Sequence, residues 1–223
     1  MHLPTGIEIH DDWFAPELLE RLTQATNWMP MYFLNRASRY DTHNLDIHWY
    51  YPVAITEESL FGRVEDQLDA LESPLDVLRE AWEQIASRIG GDLGLYECSV
   101  SANTFGTEGN PHFDFRNRAV APAHLTVLVY CSPKWDITWA GETLIFDEQG
   151  EISGGIMPRP GRVAILRGDP HHVGRSVSRI CPSDRRVLVF KLWDETVLRP
   201  LVERANIEPP VAGQPAVAPQ TRG

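Results

Sequence analysis

Cysteine is scarce in this chain of 223 residues, and none is placed to do chemistry: Cys98, Cys131 and Cys181 are far apart and odd in number, with no CxxC pair. That spacing excludes a disulfide framework and a cysteine-built zinc site, and the thiols read as reduced groups of a cytoplasmic protein. No run of about 18 uninterrupted apolar residues exists to cross a membrane. The start, MHLPTGIEIHDDW, lacks the basic residues and apolar stretch of a secretion signal. Positive charge is also sparse, with 20 lysines and arginines against 31 acidic residues, a net charge of -11 and no basic block. Such a surface repels a nucleic-acid backbone, so neither nucleic acid nor membrane is an expected partner.

The pattern that is present changes near Gly91. Before it, apolar residues at helical spacing predict a helix from Asp11 to about Trp28. Two more are predicted between Thr56 and Arg88, split at Ser73 and Pro74. One interruption, with Leu45, Ile47, Trp49 and Tyr51 alternating with polar residues, predicts a strand that Pro52 stops. After Gly91 come short apolar segments separated by glycine, proline and polar turns: LYECSVSANTF, PHFDFRN, HLTVLVYCS, GETLIFDE, GRVAIL and RRVLVFKLW. The expected fold is therefore mainly β with N-terminal helices, a double-stranded β-helix of the jelly-roll or cupin type whose helices pack on one sheet. Residues 1–91 form an integral helical front half, 92–195 the barrel, and 196–223 a short helix followed by a proline-rich tail.

Within the barrel segment, His112 and Asp114 stand one residue apart in PHFDF. On a strand they share a face and can grip one ion. A histidine pair, His171 and His172, follows in ILRGDPHHV, and RRVLVFKLW opens with Arg185 and Arg186. Two imidazoles and a carboxylate on one face of a metal leave the opposite positions open, as non-heme Fe(II) sites require for a cosubstrate and dioxygen. Arginine is suited to holding a carboxylate bidentately.

In this order the motifs NTFGTEGNPHFDF, LTVLVYCSPKWDITWAGETLIF, PRPGRVAILRGDPHHV and RRVLVFKLW resemble the Fe(II)/2-oxoglutarate-dependent dioxygenases, in particular the prolyl-4-hydroxylase-like branch. The resemblance covers roughly residues 96 to 193. It implies Fe(II), 2-oxoglutarate and O2, with ascorbate as a further candidate, and a reaction that yields succinate and CO2. Iron would be held by His112, Asp114 and a distal histidine. The family's His-x-Val form selects His171, with His172 the alternative. Counting back from Trp193 selects Arg186 for the far carboxylate of 2-oxoglutarate, with Arg185 the alternative. The spacing from His171 to Arg186 is longer than usual in the family. Related halogenases lack the carboxylate, so Asp114 implies hydroxylation.

Further pocket candidates are Thr126 and Thr143 as hydroxyl donors to the cosubstrate, and Asn103 and Phe105 one hairpin before the metal pair. Phe105 stands where the family often has a tyrosine. For the substrate, His48, Trp49 and Trp139 are candidates, with His43 and Tyr51 beside the first two. The expected activity is hydroxylation of an unactivated C–H in a small molecule, amino-acid-like or a biosynthetic intermediate. The alternatives are a hydroxylase of prolyl or other peptide side chains, a non-oxidative cupin-type metalloenzyme, and a 2-oxoglutarate-binding sensor without turnover.

Overall fold

In the computed structural model the described residues are 4–35, 47–56, 60–107, 109–115 and 117–207. His43 and the proline-rich tail beyond residue 207 lie outside them. The chain runs β1 (Ile7–His10), α1 (Pro16–Asn27), β2 (Tyr32–Asn35), β3 (Ile47–Ile55), α2 (Glu65–Asp69), α3 (Val77–Ile89) and β4 (Leu93–Asn103). It continues with β5 (His124–Tyr130), β6 (Thr143–Phe146), β7 (Ile152–Ile156), β8 (Val163–Arg167), β9 (His172–Gly174), β10 (Arg185–Asp194) and α4 (Glu195–Ala205).

The strands form two sheets, β1-β8-β5-β10-β4-β3-β2 and β7-β6-β9, with antiparallel pairing throughout. This is the double-stranded β-helix. The central strands β5, β8 and β10 are apolar on both faces, because one face meets the helices and the other lines the barrel. On the helix side, Leu125, Val127, Ile165, Leu188 and Phe190 pack with Leu18 and Leu22 of α1 and Leu78, Trp82 and Ile85 of α3. On the barrel side, Leu128, Tyr130, Ile145, Ile156, Val187 and Val189 form a second cluster.

Helix α1 begins at Pro16, whose ring sets the first-turn backbone, with Glu17 at the positive end of the helix dipole. Its Leu22 is fully buried between the sheet and α3. Truncation by Leu22→Ala is expected to cost about 2–5 kcal/mol of unfolding free energy, read from denaturant melts, because the surrounding sheet collapses poorly into the void. At the other end, Asp194 caps α4 by accepting from the backbone N–H groups of Thr196 and Val197.

Three short strands, β1, β2 and β7, carry too few residues for the alternation that marks a strand in sequence. The segment around PHFDF departs from expectation in the opposite sense. His112 makes a single β-bridge, and Asp114 sits in a bend.

Candidate active site

His112 and His172 stand directly opposite each other. The His112 N–H donates to the His172 carbonyl at 2.9 Å, and the His172 N–H returns the bond at 3.0 Å. Residues that exchange both bonds present their side chains on one face, and the two rings lie 4.7 Å apart. Each ring places Nδ1 against a backbone carbonyl two residues earlier, 2.8 Å from Asn110 O for His112 and 2.9 Å from Pro170 O for His172. A proton held there leaves both Nε2 lone pairs free to bind a metal. Asp114 completes the triangle, its carboxylate 3.9 Å from His112 Nε2 and 3.8 Å from His172 Nε2. Ligand atoms of the three residues lie within 4.8 Å of one another. Burial, and then the proximity of His172, holds the His112 pKa below its ordinary value, so its ring is neutral at physiological pH, as ligation requires.

Of the two distal histidines, the geometry brings the alternative, His172, to His112 and Asp114. His171 points to the other side of the chain, where its ring lies 4.7 Å from Phe113 and 5.4 Å from Phe146. The His-x-Val pattern selects His171, but the cross-strand pair with His112 brings in His172. Neighbours on an extended chain diverge, so one of the two must face away.

The bend at Asp114 is held by Asp169, whose carboxylate accepts from the N–H groups of Asp114 at 2.7 Å and Phe115 at 3.1 Å, and from Arg118 at 2.5 Å. Burial and the nearby Asp114 push the Asp169 pKa up to about 6. A second candidate group, Asp114 with His124 and Asp169, lies close by. There His124 Nε2 lies 2.6 Å from the Tyr96 hydroxyl and its Nδ1 lies 4.0 Å from Asp169 Oδ1, while Asp169 already accepts from three donors.

Of the two arginines, it is likewise the alternative, Arg185, that lies in the barrel. Arg185 is buried in the barrel, donating to Thr143 Oγ1 at 2.6 Å and Asn103 Oδ1 at 3.1 Å, with its guanidinium 5.3 Å from the Tyr130 ring centre. The Tyr130 hydroxyl lies 2.8 Å from Thr143 Oγ1, so an arginine, a tyrosine, a threonine and an amide converge on one spot. Burial lowers the Arg185 pKa against the opposing pull of Tyr130 and Glu142, yet a guanidinium stays charged. Arg186 leaves the sheet on the helix side, donating to the Thr26 carbonyl at the end of α1 and to Asp184. Gly141 permits the close packing around Arg185. It has a φ of +83°, and a Cβ there would come 2.9 Å from the Trp135 ring and 3.3 Å from Arg185 Cδ.

Residues 98–193 match the model of the 2OG-Fe(II) oxygenase superfamily. That matched segment is a 2OG-Fe(II) oxygenase domain. Iron and 2-oxoglutarate are accordingly its metal and cosubstrate. Among solved structures, the oxygenase resembles a prolyl hydroxylase from Trichoplax adhaerens in complex with a hypoxia-inducible-factor peptide. That match has 14% identity and a TM-score of 0.65, covering 91% of this chain and 87% of that one. It also resembles the non-heme α-ketoglutarate-dependent epimerase SnoN of nogalamycin biosynthesis, with 14% identity, a TM-score of 0.59, and coverage of 98% and 94%. A third is HygX from Streptomyces hygroscopicus with nickel, 2-oxoglutarate and hygromycin B bound, with 13% identity, a TM-score of 0.56, and coverage of 85% and 83%. Among curated proteins, none matches this sequence. Among the described residues, no helix is long and apolar enough to cross a membrane.

The remaining candidates of this oxygenase divide by face. Thr126 does not reach the Arg185 end of the barrel; its hydroxyl donates to Asp114 Oδ2 at 2.6 Å. Thr143 lies at that end, on Arg185 itself. His48 and Tyr50 share a face, their rings 6.0 Å apart. Trp49 turns the other way, against Phe33. Trp139 packs edge-on against Trp135 in its turn, and Phe105 is exposed.

Sequence reasoning missed Lys191, which lies in the barrel with Nζ 2.9 Å from Asp114 Oδ1 and 3.6 Å from Glu97 Oε2. Burial acts to lower the pKa of this ammonium, but the carboxylates of Asp114 and Glu97 outweigh it and hold it well above the usual range. The signal was a lone lysine inside the apolar run VLVFKLW. Tyr130 and Asp169 were also missed.

Proposed function

We propose that this oxygenase hydroxylates an unactivated C–H of a small molecule, with His112, Asp114 and His172 holding Fe(II) and Arg185 holding the far carboxylate of 2-oxoglutarate. The observation that carries this reading is the opposed histidine pair, with both Nδ1 atoms tethered to carbonyls and both Nε2 atoms turned to the Asp114 carboxylate. Iron held there supplies oxygen activation coupled to oxidative decarboxylation of 2-oxoglutarate to succinate and CO2.

The chain's own residues supply the rest. Arg185 offers a desolvated guanidinium at the closed end of the barrel, flanked by Thr143, Asn103 and Tyr130. A dicarboxylate is the natural guest, because a buried guanidinium can hold a buried carboxylate through bidentate hydrogen bonds and pair its charge. Thr126 and Lys191 both bond Asp114, which steadies the carboxylate and keeps it ionised. Burial acts to raise the Asp114 pKa, but Lys191 above all, then His172 and His112, hold it well below the usual carboxylate range. The presence of Asp114 favours hydroxylation over halogenation.

A small molecule is favoured over nucleic acid by the net charge of -11. It is also consistent with HygX, whose structure holds hygromycin B, and with SnoN of nogalamycin biosynthesis. The Trichoplax enzyme, in complex with a peptide fragment, represents the peptide reading.

The test is anaerobic titration with Fe(II) and 2-oxoglutarate, watching for the weak visible charge-transfer band of the chelate. Admission of oxygen in the presence of a substrate panel should then give succinate in step with 2-oxoglutarate loss. Absence of the band would reject the cosubstrate assignment.

A further inference from the structure

Beside the metal triangle the barrel wall is polar. On β4 and β10, Glu97 and Lys191 are cross-strand partners, with Nζ 3.6 Å from Oε2. Glu97 Oε1 accepts from the Tyr50 hydroxyl of β3 at 3.3 Å and from Ser99 Oγ at 3.0 Å. Ser101, the cross-strand neighbour of Tyr50, continues the row. Between Lys191 and Arg185 the same face of β10 carries Val189 and Val187, packed with Leu128 and Ile145. The wall is also reachable from solvent. The side chains of Glu97 and Lys191 are each 17% exposed, against 4% for Asp114.

We infer that Glu97 and Lys191 form the substrate-recognition pair of this oxygenase and that the substrate is a neutral, hydroxyl-rich small molecule, bound through adjacent hydroxyls that donate to Glu97 and accept from Lys191. The inference rests on the iron and 2-oxoglutarate assignment above.

Charge decides between substrate classes. Lys191 already faces two carboxylates, Asp114 and Glu97, and Glu97 already faces the ammonium. A substrate carboxylate at Lys191 would crowd a third negative group beside those two. A substrate ammonium at Glu97 would lie against Lys191. Either placement buries like charges together, which is costly in a low-dielectric wall. Hydroxyls avoid that conflict. An ammonium has three donors; Asp114 takes one of those on Lys191 at 2.9 Å, and Glu97 lies at ion-pair distance, 3.6 Å. Carboxylate oxygens carry about four lone-pair sites, and Tyr50 and Ser99 fill two on Glu97, both at Oε1. Among the described residues at least one donor and one acceptor therefore stay open side by side, and a vicinal diol fills both without adding charge.

The test uses the enzyme loaded anaerobically with Fe(II) and 2-oxoglutarate. Methyl hexopyranosides, myo-inositol and adenosine serve as neutral diol probes, and proline and a prolyl tripeptide as charged and peptide controls. The expected result is that at least one diol shifts the chelate band and raises succinate formation after oxygen is admitted, while the controls do neither. Glu97→Gln should then raise the KM for that diol by about tenfold to a hundredfold, with the KM for 2-oxoglutarate changed by less than about twofold. Retention of the chelate band in the variant shows that the barrel is intact.

The inference is overturned if the band forms but no diol shifts it, if only proline or the peptide responds, or if Glu97→Gln leaves the diol KM unchanged. Failure of the band to form in the wild-type enzyme instead removes the metal and cosubstrate reading on which the inference stands.

Discussion

Replacing Arg185 by glutamine is expected to raise the KM for 2-oxoglutarate by about a hundredfold or more, because leaving a buried carboxylate without its partner costs about 3–5 kcal/mol. Arg186→Gln should change it by less than about threefold, a shift of well under 1 kcal/mol. The two arginines are adjacent in sequence but opposite in setting. Arg185 donates to Thr143 and Asn103 inside the barrel, whereas Arg186 ties β10 to the end of α1 through Thr26 and to Asp184. The measurement is succinate formation against 2-oxoglutarate concentration, with thermal midpoints recorded for both variants. Glutamine can still donate to Thr143, so Arg185→Gln should keep the barrel folded while losing the charge. Arg186→Gln has the converse signature: it lowers the midpoint through the lost tie between helix and sheet and spares the cosubstrate.

The second large effect separates the two adjacent histidines. His172→Ala should abolish metal-dependent turnover, leaving less than about a thousandth. That exceeds the roughly 10–100-fold typical of losing a group that merely supports a ligand. His171→Ala should retain turnover within about tenfold, the lower end of that supporting-group range. The reason lies in the pairing. His172 exchanges two backbone hydrogen bonds with His112 and turns its ring to the same face, while His171 stacks on Phe113. The measurement is initial succinate rate with saturating Fe(II), together with tightly bound iron after gel filtration. Equal losses in both variants would mean that the pair acts as one structural unit.

Much of this was legible beforehand. The helix-to-strand change near Gly91, the apolar strands and the His112–Asp114 pair follow from spacing alone. What was not legible shares one physical cause, the parity of a strand buried on both faces. In RRVLVFKLW, Arg186, Leu188, Phe190 and Leu192 face the helices, while Arg185, Val187, Val189, Lys191 and Trp193 face the barrel. Both rows are apolar in their middles, so alternation gives no sign of which is inside. Counting back from Trp193 selected Arg186, yet Trp193 shares its face with Arg185 and Lys191.

The choice between His171 and His172 is hidden in the sequence for a related reason. The register is set by a backbone bridge to His112 that leaves no trace in composition. Asp169, in RGDPHH, resembles a turn residue in sequence, and only the fold brings it beneath the backbone of Asp114. Lys191 does leave a trace in the sequence, since a lysine inside an apolar strand needs partners, and Asp114 and Glu97 supply them.

The central claim is that His112, Asp114 and His172 hold the metal while Arg185 takes the far end of 2-oxoglutarate. Its most direct test is a crystal structure of the protein loaded with Ni(II) and 2-oxoglutarate. The predicted result is a metal about 2.0–2.2 Å from His112 Nε2, an Asp114 oxygen and His172 Nε2, with the distal carboxylate paired to Arg185. A metal bound through His171, or a distal carboxylate seated on Arg186 or Lys191, would contradict the account.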